Sequence, residues 1–279
     1  MDIVIDKQDF EWSLPVGMSA HDEVYESVKP AIDTVLDNYC ITLLGDVGIQ
    51  QVMAAEESTA LKRYFKMMVC IDGFLQVLRQ LDLVLTPTGF GIVSNDTVSP
   101  ASKQRVDALE AQLRTALCRA RAMTVHLLRS PEWGCTAKAV RAIRYVYTDH
   151  YFFFASASSG AYSYKDWQNM QPIIQRTDEL LRVRFGDEQT DDLLDAYRRD
   201  DHDRLTAYTT ALQLTCDLTD RAAASSEDVR GTALWRRMER ELEGNGEVYA
   251  LYHGSDAYKA AHVETFGNKK ESTAFLFNG

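Results

Sequence analysis

Apolar residues recur at helical spacing through most of the N-terminal part of the chain. After a candidate N-cap at Ser19, this three- and four-residue spacing is carried by Val24, Val28, Ile32, Val35 and Leu36. Pro30 interrupts the pattern, which predicts two short helices or a kink, and Gly45 is the expected C-cap. A second helical pattern covers residues 58–81. Before Ser19, residues 2–12 begin with an alternating pattern that predicts a short edge strand.

Strand residues punctuated by glycine then separate two helical regions. The stretch LVLTPTGFGIVS, Leu83 to Ser94, predicts a β-hairpin-like arm over about residues 83–98. The arm either adds to the sheet edge of a neighbouring subunit or folds back on its own helices. Ser99-Pro100 provides an N-cap and a first-turn proline, which predicts a long helix over about residues 100–130.

The second half of the chain resembles the first. Val28 to Asp46 (VKPAIDTVLDNYCITLLGD) aligns with Met170 to Asp187 (MQPIIQRTDELLRVRFGD) when one gap is allowed. The similarity predicts an internal duplication. We therefore expect two related helical units, residues 1–158 and 159–279, with the break in ASASSG, and extended termini. The predicted fold class is mainly α.

Charge is distributed unevenly. The net charge is −11, yet Ser99 to Tyr145 holds nine Lys or Arg against three acidic residues, a local charge of +6 that leaves −17 for the rest. At 100° per residue, Lys103, Arg114 and Arg121 form a basic ridge on one helix face. Such a ridge can bind an acidic protein surface or DNA phosphate, or pack against the chain's own carboxylates.

No pattern of catalytic or metal-binding residues occurs. The five cysteines form no C-x-x-C pair, the six histidines have no paired spacing, and Gly89-Phe90-Gly91 lacks the third glycine of a dinucleotide-binding loop. The acidic run that begins at Asp187 lacks the central glycine of a calcium loop. We therefore predict no enzyme activity, no catalytic residue, no metal and no cofactor.

Two segments carry a family resemblance. LDLVLTPTGFGIVSNDTVSPASKQRVDALE and the C-terminal NKKESTAFLFNG, together with the duplicated helical half, resemble an uncharacterised family encoded among the structural genes of phages and prophages of anaerobic gut bacteria. Similar small helical proteins are head-to-tail connectors, the adaptor rings below a phage portal. The resemblance implies no catalytic residue.

The resemblance implies a virion protein of the neck, made in the bacterial host cytoplasm. Its partners would be further copies in a cyclic, dodecameric ring, the portal protein, and a tail or stopper protein; DNA would pass without specific binding, and no membrane is involved. The alternatives are a tail-completion or stopper protein, or a cytoplasmic DNA-binding regulator that uses the basic ridge. The expected contact residues are Leu83, Leu85, Phe90, Ile92, Phe275, Leu276 and Phe277, with Lys103, Arg114 and Arg121 facing an acidic partner.

Overall fold

The computed structural model describes residues 3–14, 22–81, 83–86, 89–92, 103–147, 163–225 and 228–262. These residues are mainly α-helical, which confirms the predicted fold class. The helices of the first part are α1 (Lys7–Ser13), α2 (Asp22–Tyr39), α3 (Gly45–Ala54), α4 (Ala60–Val77), α5 (Lys103–Leu128), α6 (Pro131–Gly134) and α7 (Ala137–Ala142). Those of the second part are α8 (Tyr164–Phe185), α9 (Asp187–Arg199), α10 (His202–Ala224), α11 (Ala233–Gly244), α12 (Ala250–Gly254) and α13 (Asp256–Ala261).

Helix α1 begins at Lys7, and Ile3 to Asp6 before it form no strand, so the predicted edge strand is wrong. Asp6 and Asp9 form a capping box, each side chain accepting a hydrogen bond from the other residue's backbone N–H, at 2.8 and 3.1 Å. Phe10 is fully buried and packs edge-on against Phe74, with ring centroids 5.9 Å apart. The short alternating pattern favours a strand less strongly than the Asp6–Asp9 capping box and the burial of Phe10 favour a helix.

Helix α2 continues through Pro30, so the prediction of two short helices is wrong, while the alternative of a kink stays a prediction. Pro30 and Glu26 are both exposed, and water can therefore reach the Glu26 carbonyl that has no proline N–H to bind. A π-helical segment, Cys40–Leu44, continues α2 and ends at Gly45, whose φ is +60° and whose N–H donates to the Cys40 carbonyl. Gly45 is thus the C-cap that its sequence position predicted, while the N-cap predicted at Ser19 lies outside the described residues.

Helix α4 packs against both α2 and α5 and forms the centre of the first unit. Thr59 caps it by accepting a hydrogen bond from the Lys62 N–H, and its inner face buries Phe65, Met68 and Ile71. The long helix predicted after Ser99-Pro100 is confirmed as α5, although those two residues lie outside the described part. Between α4 and α5, strand β1 (Leu83–Thr86) pairs antiparallel with β2 (Gly89–Ile92), with Leu83 opposite Ile92 and Leu85 opposite Phe90.

The second unit begins with a capping box at Ser163 and Asp166, followed by α8, which contains Pro172. Gly186 ends α8 with φ +89° and α9 begins at the next residue. Ion pairs bind the following helices together: Arg182 contacts Asp178, Asp187 and Asp191; Arg204 contacts Asp192, Asp195 and Asp201; Arg184 contacts Glu239 and Glu243.

The two units share a buried core. One contiguous apolar cluster runs from Ile5 and Phe10 through Trp133 to Tyr249 and Tyr252. Helix α6 lies directly against α9, and Arg129 at the end of α5 forms an ion pair with Asp200 at 3.0 Å. The boundary predicted near residue 158 lies outside the described residues.

Candidate binding site: an arginine pocket

A crevice of about 390 Å³ lies where the two units meet. One side comes from α5, α7 and the segment after α7, and the other side is α8. Its lining residues are Arg121, Arg141, Ala142, Arg144, Tyr145, Tyr147, Trp167, Gln171, Pro172, Ile174 and Gln175. Among these described lining residues three are arginines, three are aromatic and none carries a carboxylate, and we call this site the arginine pocket.

The three arginines come from separate points of the first unit. Arg121 is on α5, Arg141 is in the last turn of α7, and Arg144 follows α7; all three are exposed. None of them forms an ion pair with any residue that the structure describes. Arg182 differs sharply, because it contacts three aspartates. The pocket therefore presents a concentrated positive charge that the described part of the chain leaves unneutralised.

The aromatic side chains form the wall and base of the pocket. The guanidinium carbon of Arg144 lies 5.5 Å from the ring centroid of Tyr145, within cation–π range. Tyr147 is buried, and its hydroxyl donates to Asp220 Oδ1 at 2.6 Å, tying the pocket to α10. Burial raises the pKa of Asp220. Ile174 is buried beside Tyr147 in a small apolar cluster, so the base is fixed while the arginines above it are exposed.

Helix α8 supplies only neutral groups to the pocket. Gln171 and Gln175 are exposed amides, and Pro172 between them has no backbone N–H. Trp167 is half-buried at the same wall. Amides and an indole can hydrogen-bond or pack against a partner without repelling negative charge. The arrangement suits an acidic partner that also brings apolar surface.

The predicted basic ridge lies on α5, but its three residues have different surroundings. Arg114 is bonded to Glu110 at 2.8 Å, and Glu110 also holds Arg79, so Arg114 is already paired within the chain. Lys103 is exposed in the first turn of α5, about 27 Å along the helix from Arg121. Arg121 alone joins the pocket. The i,i+4 spacing of Glu110 and Arg114 was the sequence signal that could have shown that Arg114 is paired within its own helix, unlike Lys103 and Arg121.

The remaining predicted contact residues stay predictions. Leu83, Leu85, Phe90 and Ile92 lie in β1 and β2. Phe275, Leu276 and Phe277 lie outside the described residues, as do the N-cap at Ser99 and the linker ASASSG. Sequence reasoning did not assign Arg141 and Arg144 to a site, because only the chain reversal at α6 brings them beside Arg121.

A second exposed feature lies on α1. Trp12 is 76% exposed and borders a groove of about 550 Å³ together with Arg63, Met67 and the Lys66–Asp9 ion pair. The sequence pattern gave no reason to single out Trp12. Over the parts of the chain that the structure covers, no cluster of three or more His, Cys, Asp or Glu could hold a metal ion. No helix in those parts is long and apolar enough to cross a bilayer.

Part of the chain is similar to a family of known sequences. Residues 20–143 match a family model described as "Family of unknown function (DUF6712)". The matched range includes α2 to α7 and stops before the second unit, so it takes in Arg121 and Arg141 but not the α8 wall of the arginine pocket. No curated protein and no solved structure shows significant similarity to the chain.

Proposed function

We propose that the protein is a non-catalytic structural component of a phage virion, the head-to-tail connector or adaptor ring in the neck below the portal. The observation that carries the proposal is the arginine pocket, whose three cations have no carboxylate partner in the described part of a chain with net charge −11. Complementary charges on separate surfaces favour ordered association between copies. The virion setting comes from the family resemblance, which is an argument by analogy.

We propose that the chain contains an internal duplication, which would suit a protein built for repeated contacts. Both units have a long helix with a central proline, then a glycine at positive φ, then a helix that begins with or just before aspartate. Pro30 and Pro172 are each eight residues after the first residue of their helices. Gly45 follows Pro30 by one residue more than Gly186 follows Pro172.

The π-helical segment accounts for that extra residue. A π-turn closes one residue later than an α-turn, so Cys40–Leu44 absorbs a single insertion before Gly45. Burial also follows the alignment, because Ile32 and Ile174, each two residues after the proline, are both buried. The one gap in the sequence alignment thus has a structural counterpart.

The β1–β2 ribbon supports contact with neighbours. Among the described residues, this two-stranded ribbon leaves one edge of each strand without a partner strand, and such edges pair readily with another chain. We propose that the ribbon is an arm that adds to a neighbouring subunit, through Leu83, Leu85, Phe90 and Ile92. Folding back onto its own helices is the competing arrangement.

A contact between two different surfaces closes into a ring when the rotation permits, and a portal partner would impose its own twelvefold symmetry. The ring's partners would be the portal protein and a tail or stopper protein, with DNA passing through without specific binding. The channel wall would be supplied by the acidic remainder of the chain, which repels phosphate. A tail-completion or stopper protein is the alternative within the virion, and a DNA-binding regulator is the alternative outside it.

Reconstruction of the virion neck tests the proposal. We expect density for this chain directly below the portal, with rotational symmetry about the tail axis. Its absence from the neck, or its presence there without rotational symmetry, would refute the connector. A position below the adaptor layer would identify the stopper alternative.

Duplex binding separates the connector from the regulator. We expect only weak binding that disappears by about 200 mM salt, because an acidic protein gains little from counterion release. Tight wild-type binding at that salt, lost on changing Lys103, Arg114 and Arg121 to Glu, would favour the regulator.

A further inference from the structure

We propose that the arginine pocket of one copy binds the exposed acidic stripe of α2 on the next copy. The acidic stripe consists of Glu26, Asp33 and Asp37. This inference rests on the proposed function, because it names the contact through which copies of a ring protein would associate. It assigns a partner to a pocket whose charge is otherwise unexplained.

The stripe is continuous and faces outward. At 100° per residue, Glu26, Asp33 and Asp37 lie within about 40° of one another on α2. All three are exposed, as is Pro30 between them. Ile41, four residues beyond Asp37, is 68% exposed. The stripe therefore combines carboxylates with apolar surface.

Charges on the stripe are only partly satisfied within the chain. Asp33 forms an i,i+4 ion pair with Lys29 at 2.6 Å. Glu26 and Asp37 form no ion pair with any described residue. Within the described residues the two surfaces thus complement each other: Glu26 and Asp37 have no cation on the stripe, and the three guanidinium groups of the pocket have no carboxylate. Arginine and carboxylate groups pair strongly when their geometry allows two hydrogen bonds.

The apolar parts of the two surfaces also correspond. Trp167 and Tyr145 line the pocket beside the arginines, and Ile41 and Pro30 accompany the carboxylates on the stripe. Exposed ion pairs alone contribute little to association. Burial of Ile41 against an aromatic wall would add the apolar contribution that a specific contact needs.

The two surfaces face different directions, so one copy cannot satisfy both by itself. Helix α4 packs against α2 and against α5. Tyr39, on the side of α2 opposite the stripe, donates its hydroxyl to Asp72 of α4 at 2.7 Å. The stripe therefore points away from α4, whereas Arg121 is on α5. A contact between unlike surfaces is head-to-tail and repeats from copy to copy.

Charge reversal on each surface tests the contact in the full-length protein. The pocket variant carries Arg121→Glu, Arg141→Glu and Arg144→Glu, and the stripe variant carries Glu26→Lys, Asp33→Lys and Asp37→Lys. Sedimentation velocity measures association at concentrations up to about 100 µM, above the micromolar range of weak specific contacts. We expect wild type to associate and each variant alone to lose at least about tenfold in affinity.

Mixing the two variants gives the decisive result. The reversed pocket of one variant then meets the reversed stripe of the other, and the wild-type surfaces of the two variants also match. An equimolar mixture should recover association to within about threefold of wild type, a difference of less than 1 kcal/mol. Non-specific loss of folding in either variant could not produce such recovery.

A matched control reverses three exposed arginines outside both surfaces, Arg105→Glu, Arg237→Glu and Arg240→Glu, and should associate like wild type.

Wild type that stays monomeric throughout the concentration range, or a mixture that stays dissociated, would overturn the inference. So would wild-type duplex DNA binding that only the pocket variant loses, since the pocket would then hold phosphate. A symmetric neck ring that persists in virions carrying the pocket variant would refute this contact while leaving the connector intact.

Discussion

Gly134 at the end of α6 lies against the backbone of Arg198 in α9. A Cβ atom added at position 134 would fall 2.6 Å from the Arg198 carbonyl carbon and 2.7 Å from the Cα of Arg199. Only glycine permits this approach, and it brings the two helical units into direct backbone contact. The same junction holds the Arg129–Asp200 ion pair. The shared core therefore depends on a residue without a side chain.

Replacing Gly134 by Ala should destabilise the whole protein. The obstructing atoms belong to the backbone and cannot rotate away, so we expect a loss of about 2–4 kcal/mol, at the upper end of overpacking effects. Urea unfolding followed by circular dichroism measures it. Gly244→Ala is the control, because a Cβ there meets nothing within 4 Å and alanine favours the helix. Equal stabilities for the two variants would show that α6 and α9 separate easily.

Deleting Thr42 should be tolerated. Thr42 is an exposed residue of the π-helical segment, and its removal would leave an α-helix with the spacing seen between Pro172 and Gly186. We expect a change of about 1 kcal/mol or less in unfolding free energy.

Deletion of Thr34 is the comparison. It lies in the regular part of α2, where losing one residue would rotate the buried Val35 by about 100° off the core. This variant should unfold or lose several kcal/mol. If the Thr42 deletion is as damaging as the Thr34 deletion, the π-helical segment is not a simple insertion and the duplication loses its main support.

Stability should depend on pH through His126. Burial lowers the pKa of His126 to about 4, with a further contribution from nearby Arg129. Between about pH 6.5 and 4 the unfolded chain therefore binds a proton that the folded chain does not, and stability falls as pH drops through this window. The unfolding free energy of the His126→Gln variant should fall less steeply than that of wild type as the pH drops through this range. Urea unfolding at several pH values measures both. Parallel pH profiles for wild type and variant would contradict the burial of a neutral imidazole.

Removing Ser272 to Gly279 should affect assembly rather than folding. The predicted partner contacts Phe275, Leu276 and Phe277 lie in this segment, and each such side chain contributes about 1.5–3 kcal/mol when buried. We expect the truncated protein to keep its unfolding free energy within about 0.5 kcal/mol and to yield no tail-competent heads. A truncated protein that loses several kcal/mol would show instead that the tail completes its own core.

Local pattern was sufficient for most of the helices. Helices α4 and α5, the C-cap at Gly45 and the mainly α class follow from residue spacing and capping groups, because both act between residues three or four apart. The same reasoning wrongly allowed two short helices at Pro30, where the outcome depended on which face of α2 is exposed. It failed again near the N-terminus, where the Asp6–Asp9 cap and the burial of Phe10 favour a helix over Lys7–Ser13 and no strand precedes it in the described residues.

The binding site could not be derived in the same way. The sequence alone determined that Ser99 to Tyr145 is basic in an acidic chain, and it placed Arg114 and Arg121 on one face of a helix. The pairing of Arg114 with Glu110 is local to α5, but only the tertiary structure brought Arg141 and Arg144 beside Arg121 at the wall of α8. Helix formation and i,i+4 ion pairs depend on neighbours along the chain, whereas the pocket depends on groups that folding brings together from distant positions. Which arginines remain available to a partner was therefore decided by the fold.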